Sequence, residues 1–342
     1  MDNPKAGAKR EKALASASLP YGMSGSPKEE EERFSALAGK FGQLLRPDHN
    51  ERRRKHDQQL SQSDFHSVLL SSPRGVVGGV EQLLRSLPVS KSGTTLALTL
   101  PASLKGKSAG AMPEVVLGLA GGSSGTVAYR KNADGTLTLI KECREELTVP
   151  VEDSCELVIA DNSKTFSDVT DSAWYADSVR FVAAREIFNG DGRRFYPNET
   201  MTRAMAAQIL YNYDRNSVPG DGTVFDDVRP ADWFCAAVGW AAANGIVNGY
   251  GGGFGAAESV TRQDLVTILY RYARFAGYLM KEGASLDAYS DADTVSDYAR
   301  DAMRWAVGIG VINGIDGALA PTAPAERAQV AAMIRRFVNN IR

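Results

Sequence analysis

VTRQDLVTILYRY (260–272) follows a glycine-rich stretch and runs straight into apolar residues, so it reads as the start of a helix. Thr261 suits the N-cap, and Asp264 stands three residues on, where a capping box wants an acid. Arg262 does not fit. A cation in the first turn faces the positive end of the helix dipole, at a cost of about 0.3–1 kcal/mol. The same start recurs as MTRAM at 201–205, 59 residues earlier (261 − 202), and as AERAQ at 325–329, 65 residues later (327 − 262).

The flanking sequence keeps the same offsets. FSDVTDSAWYADSVRFVAAREIFNG (166–190) aligns with FDDVRPADWFCAAVGWAAANGIVNG (225–249), and a third copy begins at YSDADTVSDYARDAMRWAVGIGVING (289–314). Phe166 matches Phe225, Trp174 matches Trp233 and Asn189 matches Asn248, while Trp240 matches Trp305 and Asn248 matches Asn313. In each copy an aromatic, acidic opening leads into a helix with apolar residues at helical spacing, such as Val179, Val182 and Ala183. That helix ends where a left-handed cap favours glycine, at Gly245 or Gly310. An Asn-Gly turn follows, and a second helix starts at the arginine. Two short helices cannot bury their apolar stripes alone, so the copies are expected to pack together.

Upstream the texture changes. TTLALTL (94–100), TVAYRK (126–131), TLTLIKE (136–142), LTVPV (147–151) and ELVIA (156–160) carry β-type residues, and NADG (132–135) suits a tight hairpin turn. Residues 1–90 mix charge runs with Gly, Ser and Pro, with weak amphipathic pieces at 34–45 and 76–87. The expected fold is therefore α+β and multidomain. It comprises a largely flexible or weakly helical region at 1–90, a small antiparallel β module at 91–163, and an all-α bundle of repeats at 164–217, 223–280 and 286–342.

Composition excludes some classes. With 39 basic and 41 acidic residues the net charge is −2, and a pI of about 6.0 gives no bulk field for nucleic acid. The run ERRRKH at 51–56 is short and reads as a solvated face. No apolar run approaches the roughly 20 residues of a membrane span. MDNPKAGAKREKALASASLPYG (1–22) lacks the apolar core of a signal peptide. Cys143 and Cys155 are able to pair in an oxidising compartment, and Cys235 falls in an apolar helical pattern that suggests buried packing. His49, His56 and His66 have no companion thiolate or carboxylate pattern, so neither a metal nor a cofactor is expected.

The FxDV opening, downstream Trp, GIVNG-type turn and TRAE-like helix start, in order over residues 166–341, resemble the S-layer homology family. The β segment is more loosely similar to a module that precedes such repeats in some clostridial surface proteins. The resemblance implies three helical repeats whose grooves bind secondary cell-wall polymer, often through a pyruvate ketal on an aminosugar. It implies a surface protein anchored to the wall, with other S-layer subunits as further partners. Its arginine carries over to Arg203, Arg262 and Arg327, its threonine to Thr202 and Thr261, its acid to Asp168, Asp227 and Asp291, and its aromatic to Trp174 and Trp233, with Tyr298 in the third copy.

This chain departs from the pattern in places. Met205 replaces the capping-box acid in repeat one, Glu186 takes the place of the helix-ending glycine, and Glu326 stands where threonine caps in repeat three. An acid beside Arg327 neutralises it internally, which ranks the grooves using Arg203 and Arg262 first.

Two readings stay open for the arginines: a salt bridge to an FxDV aspartate of a neighbouring repeat, or a carboxylate site shared with the helix N-terminus. On the second reading Arg262→Ala is expected to weaken wall binding at nearly unchanged stability. Trp174 and Trp233 either plug a core or stack on a sugar ring, and Asp168 and Asp227 are turn formers or site residues. The rival classes are a wall-attached glycoside hydrolase, for which the β module is too small to hold a cleft with two carboxylates, and a self-assembling S-layer component.

Overall fold

The computed structural model describes residues 68–71, 94–98, 114–117, 123–145, 147–278 and 280–341. The amphipathic pieces expected at 34–45 and 76–87, the basic run at 51–56 and the three histidines lie outside them. Contacts group residues 59–342 into one unit.

The β module is antiparallel throughout. Strand β1 (Val68–Ser71) pairs with β3 (Glu114–Leu117), and β3 with β6 (Thr148–Pro150). A second sheet runs β2 (Thr94–Leu98), β7 (Cys155–Asp161), β4 (Thr126–Lys131), β5 (Leu137–Ile140). The NADG stretch turns β4 into β5, with Gly135 at φ 84°, where a side chain would be strained. Two strands were not anticipated. β1 falls inside the region expected to be flexible or weakly helical, and β3 (EVVL) is too short, with three apolar residues in a row, to show an alternating pattern. Cys143 and Cys155 are both free, as is Cys235, which is half-buried at the first position of its helix rather than in the core.

Each repeat contributes two helices: α1 (Ala176–Ala184) and α2 (Arg203–Tyr213), α3 (Cys235–Ala243) and α4 (Arg262–Phe275), α5 (Arg300–Gly308) and α6 (Arg327–Asn340). The first helix of each repeat packs on the second helix of the repeat before it: α3 on α2, α5 on α4, and α1 on α6. The last contact returns from repeat three to repeat one, so the repeats form a closed ring with approximate threefold symmetry.

The ring also closes through the backbone. Met201 N donates to Ala325 O at 2.9 Å, Ala325 N to Val260 O at 2.9 Å, and Val260 N to Met201 O at 2.8 Å. All three residues are fully buried, and each immediately precedes the cap of a second helix. Apolar side chains from all three repeats share one core, with Tyr213, Tyr272, Phe337 and Trp305 linked across it by T-shaped and tilted ring contacts.

Candidate functional site

The second helices begin side by side around the ring, and their first N–H groups are committed to the next repeat. Arg203 N and Ala204 N donate to Glu258 O and Ala256 O. Arg262 N and Gln263 N donate to Ala323 O and Pro321 O, and Arg327 N and Ala328 N to Glu199 O and Pro197 O. The third N–H goes to the threonine cap where one exists: Met205 N to Thr202 Oγ1 and Asp264 N to Thr261 Oγ1, each at 3.2 Å. Glu326 caps α6 without a side-chain bond. Asp264 completes its box differently from the expected pattern, accepting the Thr261 hydroxyl at 2.7 Å and the Tyr298 hydroxyl at 2.6 Å.

The arginine side chains follow the same ring. Nε of Arg203 donates to Phe254 O at 2.9 Å, Nε of Arg262 to Leu319 O at 2.9 Å, and Nε of Arg327 to Phe195 O at 2.8 Å. Arg203 Nη2 reaches Asn248 O at 2.9 Å, and Arg327 Nη2 reaches the matching Asn189 O at 3.1 Å. The expected bridge to a neighbour's FxDV aspartate is absent among the described residues; carbonyl groups take its place. Arg262 and Arg327 are only 4% and 7% exposed, and burial holds both guanidinium pKa values below their usual range. For Arg262 the nearby Arg336 adds to that shift and Asp291 opposes it; for Arg327, Glu199 and Asp168 oppose it. Each of the three cations thus has neutral hydrogen-bond partners.

The FxDV aspartates hold their own turns. Asp168 accepts from Phe195 N and Tyr196 N at 2.8 Å each, and Asp291 from Leu319 N at 2.7 Å and Ala320 N at 2.8 Å. Asp227 accepts from Phe254 N, Gly255 N and Ala256 N at 2.6–3.2 Å. Burial pushes the Asp168 and Asp227 carboxyls up, but the backbone donors outweigh it and leave both below the usual range.

The aromatics are outside the core. Trp174 is 66% exposed, Trp233 61% and Tyr298 56%, at matching positions ahead of α1, α3 and α5. Trp174 and Trp233 make T-shaped ring contacts with Tyr175 and Phe234, with centroids 5.4 and 5.3 Å apart.

Sequence reasoning missed some residues here. Gln329 accepts from Arg262 Nη1 at 3.1 Å, and Met205 Sδ lies 3.9 Å from Arg327 Nη1. Tyr250 donates to Glu258 and sits 5.3 Å from the Arg203 guanidinium. The signal for Met205, Asp264 and Gln329 was present, since they share one offset; the notion of an incomplete capping box hid it. Among the described residues no group of three or more His, Cys, Asp or Glu could hold a metal, and no helix is long and apolar enough to cross a membrane.

The S-layer homology domain model matches this chain at residues 165–207, 224–266 and 288–331. An amylopullulanase of Thermoanaerobacterium thermosulfurigenes is 32% identical over 176 residues, covering 50% of this chain and 9% of that protein. The surface-layer 125 kDa protein of Lysinibacillus sphaericus is 30% identical over 176 residues, 50% of this chain and 14% of its own. A cellulosome-anchoring protein of Acetivibrio thermocellus is 28% identical over 151 residues, 42% of this chain and 33% of its own. The chain thus spans a third or less of each of these relatives, and only their S-layer homology parts are matched.

Proposed function

We propose, from a chain that carries three S-layer homology domains, that it anchors non-covalently to the bacterial cell wall. In this reading the grooves between neighbouring repeats hold a secondary cell-wall polysaccharide, with a carboxylate such as a pyruvate ketal on an aminosugar set against Arg203, Arg262 or Arg327. The surface-layer and cellulosome-anchoring relatives support a place at the cell surface. The amylopullulanase is matched over only 9% of its length, so its catalysis is not carried over, and the role proposed is binding.

The observation that carries this reading is the recurrence, once per repeat, of an exposed aromatic ahead of the first helix and of a second-helix arginine whose hydrogen-bond partners are all neutral. An exposed indole supplies a flat apolar face for a sugar ring, and a guanidinium without a carboxylate leaves a positive potential for an anion. Trp174, Trp233 and Tyr298 would touch the polymer. Thr202, Thr261, Asp168 and Asp227 would position the helix starts and turns around it, because their oxygens are already engaged.

The test is co-sedimentation of the full chain with purified cell walls. Binding should fall on walls stripped of secondary polymer, on walls with depyruvylated polymer, and on substitution of Trp174 and Trp233 by alanine. Equal binding to stripped walls would overturn the anchor, and equal binding to depyruvylated walls would remove the carboxylate. Ordered sheets formed in the absence of walls would favour the self-assembling alternative.

A further inference from the structure

Two of the ring's three interfaces are crossed by the chain, and one is not. Residues 214–234 lead from α2 to α3, and on the way Gly220 N donates to Ala236 O of α3 at 3.1 Å. Residues 276–299 lead from α4 to α5, and Ala284 N donates to Arg304 O of α5 at 2.9 Å. The chain entering each of these repeats thus lies across its first helix. α6 and α1 stand at opposite ends of the repeat array, so no such connection spans the seam between them.

The turn between β5 and β6 reaches both sides of that seam. On repeat one, Lys141 Nζ donates to Asn212 O in the last turn of α2, and Glu142 pairs with Arg215 at 2.6 Å. Cys143 O accepts from Arg185, the C-cap of α1, at 2.6 Å. On repeat three, Arg144 Nη2 donates to Ile341 O, at the C-cap of α6, at 2.9 Å, and Glu145 N donates to Asn339 Oδ1 at 3.0 Å. The Glu145 carboxylate accepts from Arg335 Nη2 at 2.6 Å and Nε at 3.1 Å. Arg335 Nη1 in turn lies 3.5 Å from Ser178 Oγ of α1, so one guanidinium joins the module, α6 and α1. Lys141 and Arg144 both place a cation on carbonyls at a helix C-terminus, where the dipole favours it. Just past the turn, Leu147 is 1% exposed at φ 53°, a conformation leucine rarely adopts and one that persists only where surrounding contacts fix it.

We infer that residues 141–145 are a clasp that keeps the repeat ring closed at the α6–α1 seam. The β module does for α1 what the incoming chain does for α3 and α5. A helix of nine residues is not stable without its packing, so α1 frays whenever the clasp lets go, while α3 and α5 stay held. The inference concerns the ring itself and stands whichever ligand the ring binds.

The experiment is amide hydrogen exchange of the full chain by mass spectrometry, read separately for α1, α3 and α5. Glu145→Arg sets two guanidinium groups against each other, and Arg335→Glu two carboxylates. Both side chains are more than a quarter exposed, at 31% and 27%, so neither reversal buries a charge and both variants should fold. Each should speed exchange in α1 by about fivefold or more and leave α3 and α5 within about twofold of the parent. The two substitutions together remake the pair with its charges exchanged and should return α1 to within about twofold. Lys131→Glu reverses the pair that Lys131 makes with Glu156 inside the β module and should leave α1 unchanged. Release of the turn is read independently by thiol labelling of Cys143, which is fully buried, in a Cys155→Ser, Cys235→Ser background. Its rate should rise together with exchange in α1. Unchanged α1 exchange in both single reversals would overturn the clasp, as would failure of the paired reversal to restore it. Equal acceleration of all three first helices, or faster α1 exchange with Cys143 labelled at the parent rate, would overturn it too.

Discussion

Arg203 and Asp227 hold opposite ends of one residue: the Asp227 carboxylate accepts the N–H of Phe254 at 2.6 Å, and Arg203 Nε donates to the carbonyl of Phe254 at 2.9 Å. Asp168 and Arg327 grip Phe195 the same way, and Asp291 and Arg262 grip Leu319. The acid belongs to the repeat that owns the turn, and the base comes from the repeat before it. The charges form no ion pair, and each turn is held from both sides. That accounts for a cation at the start of a helix. The guanidinium leaves its own dipole and lies against a neighbour's carbonyls, so the local cost of about 0.3–1 kcal/mol is offset by bonds between repeats.

The stability expected of Arg262→Ala changes accordingly. Truncation leaves Leu319 O and Gln329 Oε1 without their donors in a site 4% exposed, so the loss should be about 1–3 kcal/mol instead of nearly nothing. Chemical denaturation of the full chain reads this directly. A change under about 0.5 kcal/mol, the range of an ordinary surface substitution, would contradict it.

Glu186 tests the backbone apart from the ring. It holds φ 54°, where the matching residues are Gly245 at φ 67° and Gly310 at φ 73°, and its side chain is exposed. Glu186→Gly should therefore stabilise by about 0.5–1 kcal/mol, the left-handed strain relieved exceeding the added chain entropy. Gly245→Ala is the mirror experiment, because a Cβ there meets nothing within 4 Å and any loss is conformational. Thermal melts should move in opposite directions for the two variants.

The FxDV aspartates predict acid sensitivity. The folded-state pKa values of Asp168 and Asp227 lie below the ordinary 3.8, held there by backbone N–H donors against the opposing effect of burial. A carboxyl whose pKa is lower folded than unfolded adds stability that is complete above the unfolded value and disappears as pH falls through the folded one. Melting temperature should thus be flat above about pH 5 and drop steeply below about pH 4. Asp227→Asn should start lower at neutral pH and fall less over the same window; parallel curves for parent and variant would contradict the assignment.

Much of this architecture was legible because the repeats report on one another. A fixed offset placed Arg203, Arg262 and Arg327 in one role, and Glu186 was identifiable as a strained cap from its two glycine counterparts. Ring closure was not legible. The sequence shows that copies exist, whereas the contact of α1 on α6 depends on the rotation between them. Nor did a single residue type reveal that the arginines grip carbonyls, since backbone acceptors leave no mark in the sequence. The exposure of Trp174 and Trp233 was open for a related reason: a tryptophan heading a helix suits a core or a surface equally, and only packing decides.

Arg185 escaped notice altogether, and it joins the β module to the ring. It is the C-cap of α1, fully buried, and its guanidinium donates to Cys143 O at 2.6 Å, Ser124 O at 3.0 Å, Thr126 O at 3.2 Å and Phe181 O at 3.3 Å while lying 3.6 Å from the Phe181 ring centre. Three of those carbonyls belong to the β module. Around it Arg335 forks onto Glu145 at 2.6 and 3.1 Å, and Arg215 bonds Glu142 at 2.6 Å. The Arg335–Glu145 pair is part-exposed, and pairs of that kind contribute about 0–1 kcal/mol; Arg215 and Glu142 are set more deeply, but only the Arg185 guanidinium is fully buried. Arg185→Met keeps volume but strands the module's carbonyls, each costing about 1–3 kcal/mol when left bare, and should destabilise by at least about 3 kcal/mol. Limited proteolysis would then cut within 123–162 while the repeats stay intact, and Glu145→Gln should produce neither effect. If Arg185→Met unfolded at the denaturant midpoint of the parent chain, the module would be held by its apolar contacts alone.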